Sequence, residues 1–261
     1  DVEVHNFDQE RFLRLVGSAE KSSEHPLAEA IVAGIEAKGT RLPAAEHFEA
    51  IPGYGIRASV EGHEVLVGTR KLMAQHNVPI DSILGRMSEL ETEGKTAMLT
   101  AVDGQYAGLV AVADTIKETS RAAVARLKEM GIEVIMITGD NERTAQAIAK
   151  QVGIDHVRAE VLPEGKADEV KKLQQQGKKV AMVGDGINDA PALAVADIGM
   201  AIGTGTDVAM EAADVTLMKG DLNSIPDAIY MSRKTMSNIR QNLFWALGYN
   251  SLGIPIAAIG L

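Results

Sequence analysis

The sequence predicts an α/β protein with a doubly wound parallel sheet. Val180–Val183 is a short apolar run without polar alternation, which is typical of a strand buried on both faces. Ile132–Ile137 is a second apolar run. Each run is followed by a polar turn with a glycine and then by a helical pattern. Strands that alternate with helices in this way form parallel sheets with right-handed crossovers.

The turn after Val183 predicts a magnesium site. Asp185 and Asp189 flank Gly186 and Asn188 at the carboxyl end of the strand, where open α/β sheets bind ligands. Two carboxylates and an amide suit Mg²⁺, which leaves its other positions to water or phosphate. We expect Asp185 and Asp189 to bind Mg²⁺, and Asn188 and Asp189 to orient the loop. The alternative is a plain polar turn between a strand and a helix.

The turn after the other apolar run predicts a phosphate site. Thr138, Gly139 and Asp140 follow the strand, and Asn141 precedes a helical pattern. The Thr138 hydroxyl and the backbone N–H groups of the turn would bind phosphate oxygens. Lys166 is a candidate charge for the same phosphate, because its ammonium group is compact and its stem is long. For Lys166, the alternative is a solvated side chain at a helix start.

These motifs resemble the phosphorylation domain of P-type ATPases, within the haloacid-dehalogenase-like superfamily. The resemblance rests on Thr138–Asp140, on Pro163 with Lys166 and on Gly184–Asp189, and it covers essentially the whole chain. It implies that Mg·ATP phosphorylates an aspartate in an Asp-Lys-Thr-Gly-Thr motif. That motif is absent from the sequence. We expect it shortly upstream of Asp1, and we expect the segment alone to be inactive.

The resemblance also assigns roles to individual residues of the two turns. It places Mg²⁺ on Asp185 and Asp189. It assigns catalytic roles to Thr138, Gly139, Asp140, Lys166, Asn188 and Asp189.

The N-terminal part resembles the nucleotide-binding domain of the heavy-metal-transporting P-type ATPases, an α+β domain inserted into the phosphorylation domain. The matching signature is Ser-Glu-His-Pro-Leu at Ser23–Leu27. The resemblance implies that His25 lies against the adenine ring and that Glu20 and Glu24 help to hold the purine. A flat imidazole can stack on a base. Judged from the residues alone, His25 is a capping or surface residue.

Gly53 and Gly55 flank Tyr54, and their missing side chains would let a nucleotide approach the backbone. A plain turn explains the spacing equally well. The family's nucleotide domain has the same Gly-x-Gly-Ile segment, so the resemblance assigns both glycines to ATP. Family members often have asparagine after the glycine of the next strand, where this chain has Thr69.

The end of the sequence predicts an entry into a transmembrane helix. Leu243–Asn250 is largely apolar, Leu252–Leu261 carries no formal charge, and basic residues precede both. Those basic residues place the preceding domain in the cytoplasm. The alternative is an amphipathic core helix. Tyr249 and Asn250 resemble the pair that belongs to the membrane metal site of the copper(I) subgroup. Zinc and cadmium relatives typically have a lysine in this span, and this sequence has none there.

Composition excludes some other functions. A formal net charge of −10 argues against a nucleic-acid surface, which needs a basic stripe. The absence of cysteine excludes disulfides and thiolate metal sites within the sequence. The polar start, Asp1–Glu10, is unlike a signal peptide. We predict a nucleotide-binding domain at 1–112, a phosphorylation domain at 113–225, and a linker helix with the start of a transmembrane helix at 226–261.

The predicted function is that of the ATP-handling segment of a copper(I)-translocating P-type ATPase, with ATP and Mg²⁺ as cofactors and Cu(I) as the transported ion. Its predicted partners are the actuator domain and membrane helices of the same pump. The alternatives are a zinc or cadmium pump, a non-catalytic nucleotide-binding regulator, and a soluble haloacid-dehalogenase-like phosphatase with Asp114 as nucleophile. Such phosphatases usually carry a second acid two residues later, where this chain has Ile116.

Overall fold

The computed structural model describes residues 1–23, 25–113, 116–203 and 207–260. The predictions about Glu24 and Asp114 therefore lie outside the described residues. Tertiary contacts group the chain into two compact units. The first unit contains Asp1–Ile116 and Ile135–Pro163, and the second contains Lys117–Val134 and Glu164–Leu261.

The described residues form strands and α-helices in an order that changes along the chain, with β-rich structure first and alternating elements later. The strands are β1 (Val2–Val4), β2 (His47–Ile51), β3 (Gly55–Val60), β4 (His63–Gly68), β5 (Lys95–Val102), β6 (Gln105–Ala113), β7 (Ile135–Ile137), β8 (His156–Arg158), β9 (Ala181–Gly184), β10 (Ile198–Ile202) and β11 (Val215–Leu217). The helices are α1 (Gln9–Glu20), α2 (Pro26–Glu36), α3 (Arg70–Gln75), α4 (Leu84–Thr92), α5 (Glu118–Glu129), α6 (Glu142–Val152), α7 (Lys166–Gln175), α8 (Ala190–Val195), α9 (Asp207–Ala212) and α10 (Ser224–Ala258).

The first unit is built on a six-stranded antiparallel sheet with the order β1-β6-β5-β4-β3-β2. Successive side chains of a strand point to opposite faces, so each strand can supply two cores. In β4, Val65 and Val67 pack with α1 and α2, whereas Leu66 packs with α3 and α4. The sheet is therefore covered by helices on both faces, which agrees with the α+β architecture predicted for a nucleotide-binding domain.

Strands β3 and β4 place a pair of glycines opposite each other. Gly55 and Gly68 are register partners, and Gly55 has a φ of +140°, which disfavours other residues. A Cβ atom on Gly55 would overlap the carbonyl oxygen of Val67, and one on Gly68 would overlap that of Tyr54. Both positions therefore require glycine for local packing.

The first unit also contains a β7-α6-β8 segment, whose two strands pair in parallel. Helix α6 begins at an asparagine cap, because the side chain of Asn141 accepts a hydrogen bond from the Thr144 N–H at 3.1 Å. It ends at Gly153, which adopts the left-handed conformation common at helix ends. The Thr144 hydroxyl donates to the Lys95 carbonyl oxygen at 2.9 Å and so attaches α6 to the start of β5.

The second unit contains a three-stranded parallel sheet with the order β11-β10-β9. One apolar cluster joins Met200 of β10 and Leu217 of β11 to Leu127 of α5 and Ile225 of α10. A second cluster packs α7 and α8 against residues around β9. Helices thus pack in two separate clusters around this sheet, as expected of an α/β fold.

The predicted α/β class with parallel strands is confirmed: β7 and β8 pair in parallel in the first unit, and β9, β10 and β11 do so in the second. Among the described strands, β7 pairs only with β8, and β9 has only β10 as a neighbour. Residues 135–163, which the sequence placed in the phosphorylation domain, are grouped with the first unit. The predicted domain boundaries stay predictions.

Helix α10 is 35 residues long and exposes many apolar side chains. Trp245, Leu247 and Leu252 are about 70% exposed, and burial is confined to the start of the helix, at Ile225 and Pro226. No helix among the described residues is both long enough and apolar enough to cross a membrane. The start of a transmembrane helix at 226–261 stays a prediction.

Candidate active site

The predicted adenine site is divided between the end of α1 and the start of α2. His25 caps α2, because its Nδ1 accepts a hydrogen bond from the Leu27 N–H at 3.2 Å. The imidazole is nevertheless exposed. This geometry matches the capping interpretation that the residues alone favoured, and it leaves the ring accessible to a ligand.

Glu20 is the buried member of this group, with a residual exposure of 4%. Within the described ranges, no side chain or backbone group is seen to pair with its carboxyl group. Burial therefore raises the pKa of Glu20 to about 7. Charged or titratable residues on the elements that pack against α1 include Glu29 and Glu36 on α2, Arg57 on β3 and Glu64 on β4. None of them is a cause of the pKa rise, which is due to loss of solvent alone.

We expect the stability of the chain to fall as the pH rises through Glu20's folded pKa. In the unfolded chain this carboxyl ionises near its ordinary pKa, so between about pH 4.5 and 7 only the folded state keeps the proton. The free energy of unfolding should then decrease by about 3 kcal/mol across this window, because one pKa unit corresponds to about 1.4 kcal/mol. Urea unfolding of the chain between pH 5 and 8 measures this slope.

The Glu20→Gln variant should lose most of the pH dependence, because glutamine does not titrate. Glu29→Gln is the matched control, since Glu29 is exposed on the neighbouring helix. Equal slopes for the wild-type chain and Glu20→Gln would show that Glu20 is ionised in the folded state.

The two glycines assigned to ATP lie around the turn between β2 and β3. Gly53 has a φ of +77°, so the turn itself favours glycine, and a Cβ atom there would lie 2.8 Å from the Leu162 side chain. Gly55 is required by its contact with β4, as described above. Local structure therefore explains both glycines, and their approach to a nucleotide stays a prediction.

The Thr138–Asp140 turn closes on itself. The Thr138 hydroxyl donates to Asp140 Oδ2 at 2.9 Å, and the Asp140 N–H donates back to the Thr138 hydroxyl at 3.1 Å. Asp140 Oδ1 also accepts a hydrogen bond from the Thr96 hydroxyl at 3.5 Å. Gly139 is exposed between them. The turn is thus preorganised, and binding a phosphate through Thr138 requires its hydroxyl to change partner.

The second unit brings together three of the predicted residues. Lys166 Nζ donates to Asp189 Oδ1 at 2.6 Å, and both side chains are largely buried, with exposures of 20% and 10%. Asp189 Oδ2 accepts from the backbone N–H groups of Asp185 and Gly186 at 3.3 and 3.4 Å. A Cβ atom on Gly184 would lie 2.6 Å from Asp189, so this glycine lets the carboxylate reach under the loop.

The arrangement separates the two carboxylates of the loop by role. Asp189 has both oxygens engaged and holds the loop, whereas Asp185 and Asn188 are exposed. Within the described ranges, no group of three or more histidine, aspartate or glutamate side chains is arranged to hold a metal ion. Magnesium often takes only one or two carboxylates and completes its shell with water and substrate phosphate, so Asp185 fits such a site. Asp189 as a direct ligand stays a prediction.

Tyr249 and Asn250, the predicted metal pair, lie on α10 and are both exposed, Tyr249 to 79%. Their role in metal binding stays a prediction.

Sequence reasoning missed two groups of residues near the Thr138–Asp140 turn. Thr96 contacts Asp140 although 44 residues separate them. Glu91 is fully buried and binds two arginines, Arg70 and Arg143. No spacing in the sequence indicates either contact, because each joins distant elements. The only signal was a glutamate on the apolar side of a helical pattern.

Family models agree with this fold. A haloacid dehalogenase-like hydrolase model matches residues 3–197, and a second model with the same description matches 166–229. The first match covers most of the chain. The chain belongs to the haloacid dehalogenase-like hydrolases.

Individual relatives of this chain belong to a narrower class of proteins than the family models describe. A copper-exporting P-type ATPase of Bacillus subtilis (strain 168) is 65% identical over 254 residues, which are 97% of this chain and 32% of that protein. The chain thus spans about a third of the length of the curated relatives it matches. The similarity of the chain to heavy-metal P-type ATPases predicted from its motifs is confirmed.

Two solved structures resemble the whole or most of the chain. A zinc-transporting PIB-type ATPase in the E2.Pi state has a TM-score of 0.69 and 37% identity, covering 100% of this chain and 42% of that one. The catalytic domain of the CPx-ATPase CopB-B has a TM-score of 0.66 and 26% identity, covering 87% of this chain and 82% of that one.

Proposed function

We propose that this chain is the ATP-binding and phosphoryl-transfer segment of a copper(I)-translocating P-type ATPase, called here the complete pump. The observation that carries the proposal is the buried Lys166–Asp189 pair beneath the exposed Asp185. It provides a fixed cation and an accessible carboxylate at the end of a parallel strand, where α/β proteins bind ligands. The copper-exporting relatives support the choice of pump.

The residues of the site position and neutralise a phosphoryl group. Phosphoryl transfer has a loose transition state, so catalysis depends mainly on alignment and on compensation of negative charge. Asp185 would hold Mg²⁺, and the ion would neutralise charge on the phosphate oxygens. Lys166 would supply a second positive charge, kept in place by Asp189. Thr138 would bind a phosphoryl oxygen, and Asn188 would orient the loop.

The acceptor aspartate would lie upstream of Asp1, in an Asp-Lys-Thr-Gly-Thr strand. The open edge of β9 supports this proposal. Among the described strands β9 pairs only with β10, although its residues are mostly apolar, as in strands that have two neighbours. A parallel strand added at that edge would end beside the Asp185 loop. Without it, the segment should bind ATP and should not form an aspartyl phosphate.

Adenine binding would depend on His25. Because its imidazole is exposed at the start of α2, it can stack on a purine, and stacking on an aromatic side chain is worth about 1–3 kcal/mol per base. We expect His25→Ala to weaken ATP binding to the chain roughly tenfold, the lower end of this range. Titration calorimetry measures it, with His47→Ala as a control at another exposed histidine. Unchanged affinity would remove His25 from the site.

The transported ion would be Cu(I), with the segment on the cytoplasmic side of the membrane and the actuator domain and membrane helices as partners. Tyr249 and Asn250 form a polar pair in an otherwise apolar stretch, and such residues usually have a functional partner in a membrane. The copper-exporting relative is 65% identical, against 37% for the zinc-transporting structure.

The test of the proposed function is metal stimulation of the complete pump. ATP hydrolysis should rise with Cu(I) or Ag(I) and change little with Zn²⁺. Asn250→Ala should reduce this stimulation without weakening ATP binding. Asn238→Ala is the matched control, because Asn238 is also exposed on α10 but lies outside the apolar stretch. A pump that responds to Zn²⁺ and ignores Cu(I) would overturn the copper assignment and leave the P-type assignment standing.

A further inference from the structure

A buried carboxylate joins three helices of the first unit. Glu91 of α4 has no solvent exposure and binds the Arg70 guanidinium of α3 through both oxygens, at 2.6 and 2.9 Å. Its Oε2 also accepts a hydrogen bond from Arg143 of α6 at 3.3 Å. We call Arg70, Glu91 and Arg143 the arginine clamp.

The stability of the fold does not explain why Glu91 binds a second arginine. A buried ion pair contributes little net stability compared with apolar side chains of similar volume, because both charges lose their hydration. The two-pronged bond from Arg70 already compensates the charge of Glu91. Arg143 therefore adds a second guanidinium to a carboxylate whose charge is already compensated. The Arg143 side chain is also 57% exposed. What the second bond adds is a fixed position for α6.

The position of α6 determines the position of the Thr138–Asp140 turn. Arg143 lies in the first turn of α6, two residues after the cap Asn141. The same end of the helix is attached to β5 through the Thr144 hydroxyl and the Lys95 carbonyl oxygen. The turn itself is attached to β5 through Asp140 and Thr96. Two hydrogen bonds thus attach the turn and the start of α6 to β5, and the clamp attaches the start of α6 to α3 and α4.

We propose that Glu91 is a positioning residue, which acts through Arg143 to hold the Thr138–Asp140 turn where it binds the transferred phosphoryl group. This inference rests on the proposed function. Small displacements of groups that align a reaction reduce its rate strongly even when binding is unaffected. The clamp therefore controls the rate of phosphoryl transfer rather than the affinity for the adenine part of ATP.

The test is the rate of phosphoenzyme formation in the complete pump carrying Arg143→Met. This substitution keeps the Arg70–Glu91 pair, so the buried carboxylate stays compensated and the first unit stays folded. The maximal rate should fall roughly tenfold, while the ATP concentration that gives half of this rate changes less than about twofold. Arg143→Lys, which keeps the charge but has no planar fork, should recover part of the rate.

Arg86→Met is the matched control, because Arg86 also binds two carboxylates in the first unit, and these partners, Glu3 and Glu89, lie outside α6 and the turn. It should leave both kinetic parameters unchanged. The inference is overturned if Arg143→Met lowers the melting temperature alone, or if it changes the ATP requirement as much as the rate. If the wild-type pump forms no phosphoenzyme, the proposed function fails first.

Discussion

Replacing Asp185 with alanine in the complete pump should abolish phosphoenzyme formation and leave ATP binding largely intact. Asp185 is the exposed carboxylate of the loop after β9, and Asp189 beneath it is already engaged with Lys166 and two backbone N–H groups. No second carboxylate of this loop is therefore ready to replace it. The predicted adenine residues lie in the other unit, so the base should still bind.

Radioactive labelling from [γ-³²P]ATP measures the phosphoenzyme, and calorimetry with ATP measures binding. Asp168→Ala is the control, because Asp168 is an exposed carboxylate in the first turn of α7 in the same unit. Normal labelling of the Asp185→Ala pump would show that another group holds the metal. Loss of both labelling and ATP binding would instead indicate a folding defect.

Replacing Lys166 with methionine should strongly lower the free energy of unfolding of the chain. The partner Asp189 is only 10% exposed, so it would keep a buried charge without a counter-ion. Breaking such a pair from one side typically costs about 3–5 kcal/mol. Urea unfolding of the chain should therefore show a free energy of unfolding lower by about 3 kcal/mol or more.

Lys179→Met is the matched comparison. Lys179 also pairs with an aspartate, Asp197, at 2.8 Å, but its side chain is 91% exposed, so its removal should lower the free energy of unfolding far less than removal of Lys166. The double variant Lys166→Met/Asp189→Asn should recover part of the lost stability, because it removes the buried charge as well. If Lys166→Met and Lys179→Met cost the same, the pair beneath the loop is open to solvent.

The site residues that follow the carboxyl ends of β7 and β9 could be predicted, because each group lies within a few residues of its strand. Thr138–Asp140 and Asp185–Asp189 follow apolar runs directly, and the structure places both after parallel strands. The partners of these residues could not be predicted. Lys166 was expected to face a phosphate, and its bond to Asp189, 23 residues away, depends on how α7 packs beside β9.

The same limit applies to roles inside a motif. The motif predicts that the Thr138 hydroxyl binds phosphate, but in the structure this hydroxyl donates a hydrogen bond to Asp140, two residues later. Periodicity predicts which residues are near in the chain, but it does not rank a hydroxyl's competing acceptors.

The open edge of β9 also affects how the isolated chain behaves at high concentration. Among the described strands β9 has one neighbour, and an apolar edge strand is a template for strand addition by a second molecule. The formal net charge of −10 opposes this association, because like-charged chains repel one another. At 0.1 M salt this repulsion is largely screened between charges that are more than about 10 Å apart. We therefore expect the solubility of the isolated chain to fall as the ionic strength rises. Low-salt buffers should suit its purification better than high-salt ones.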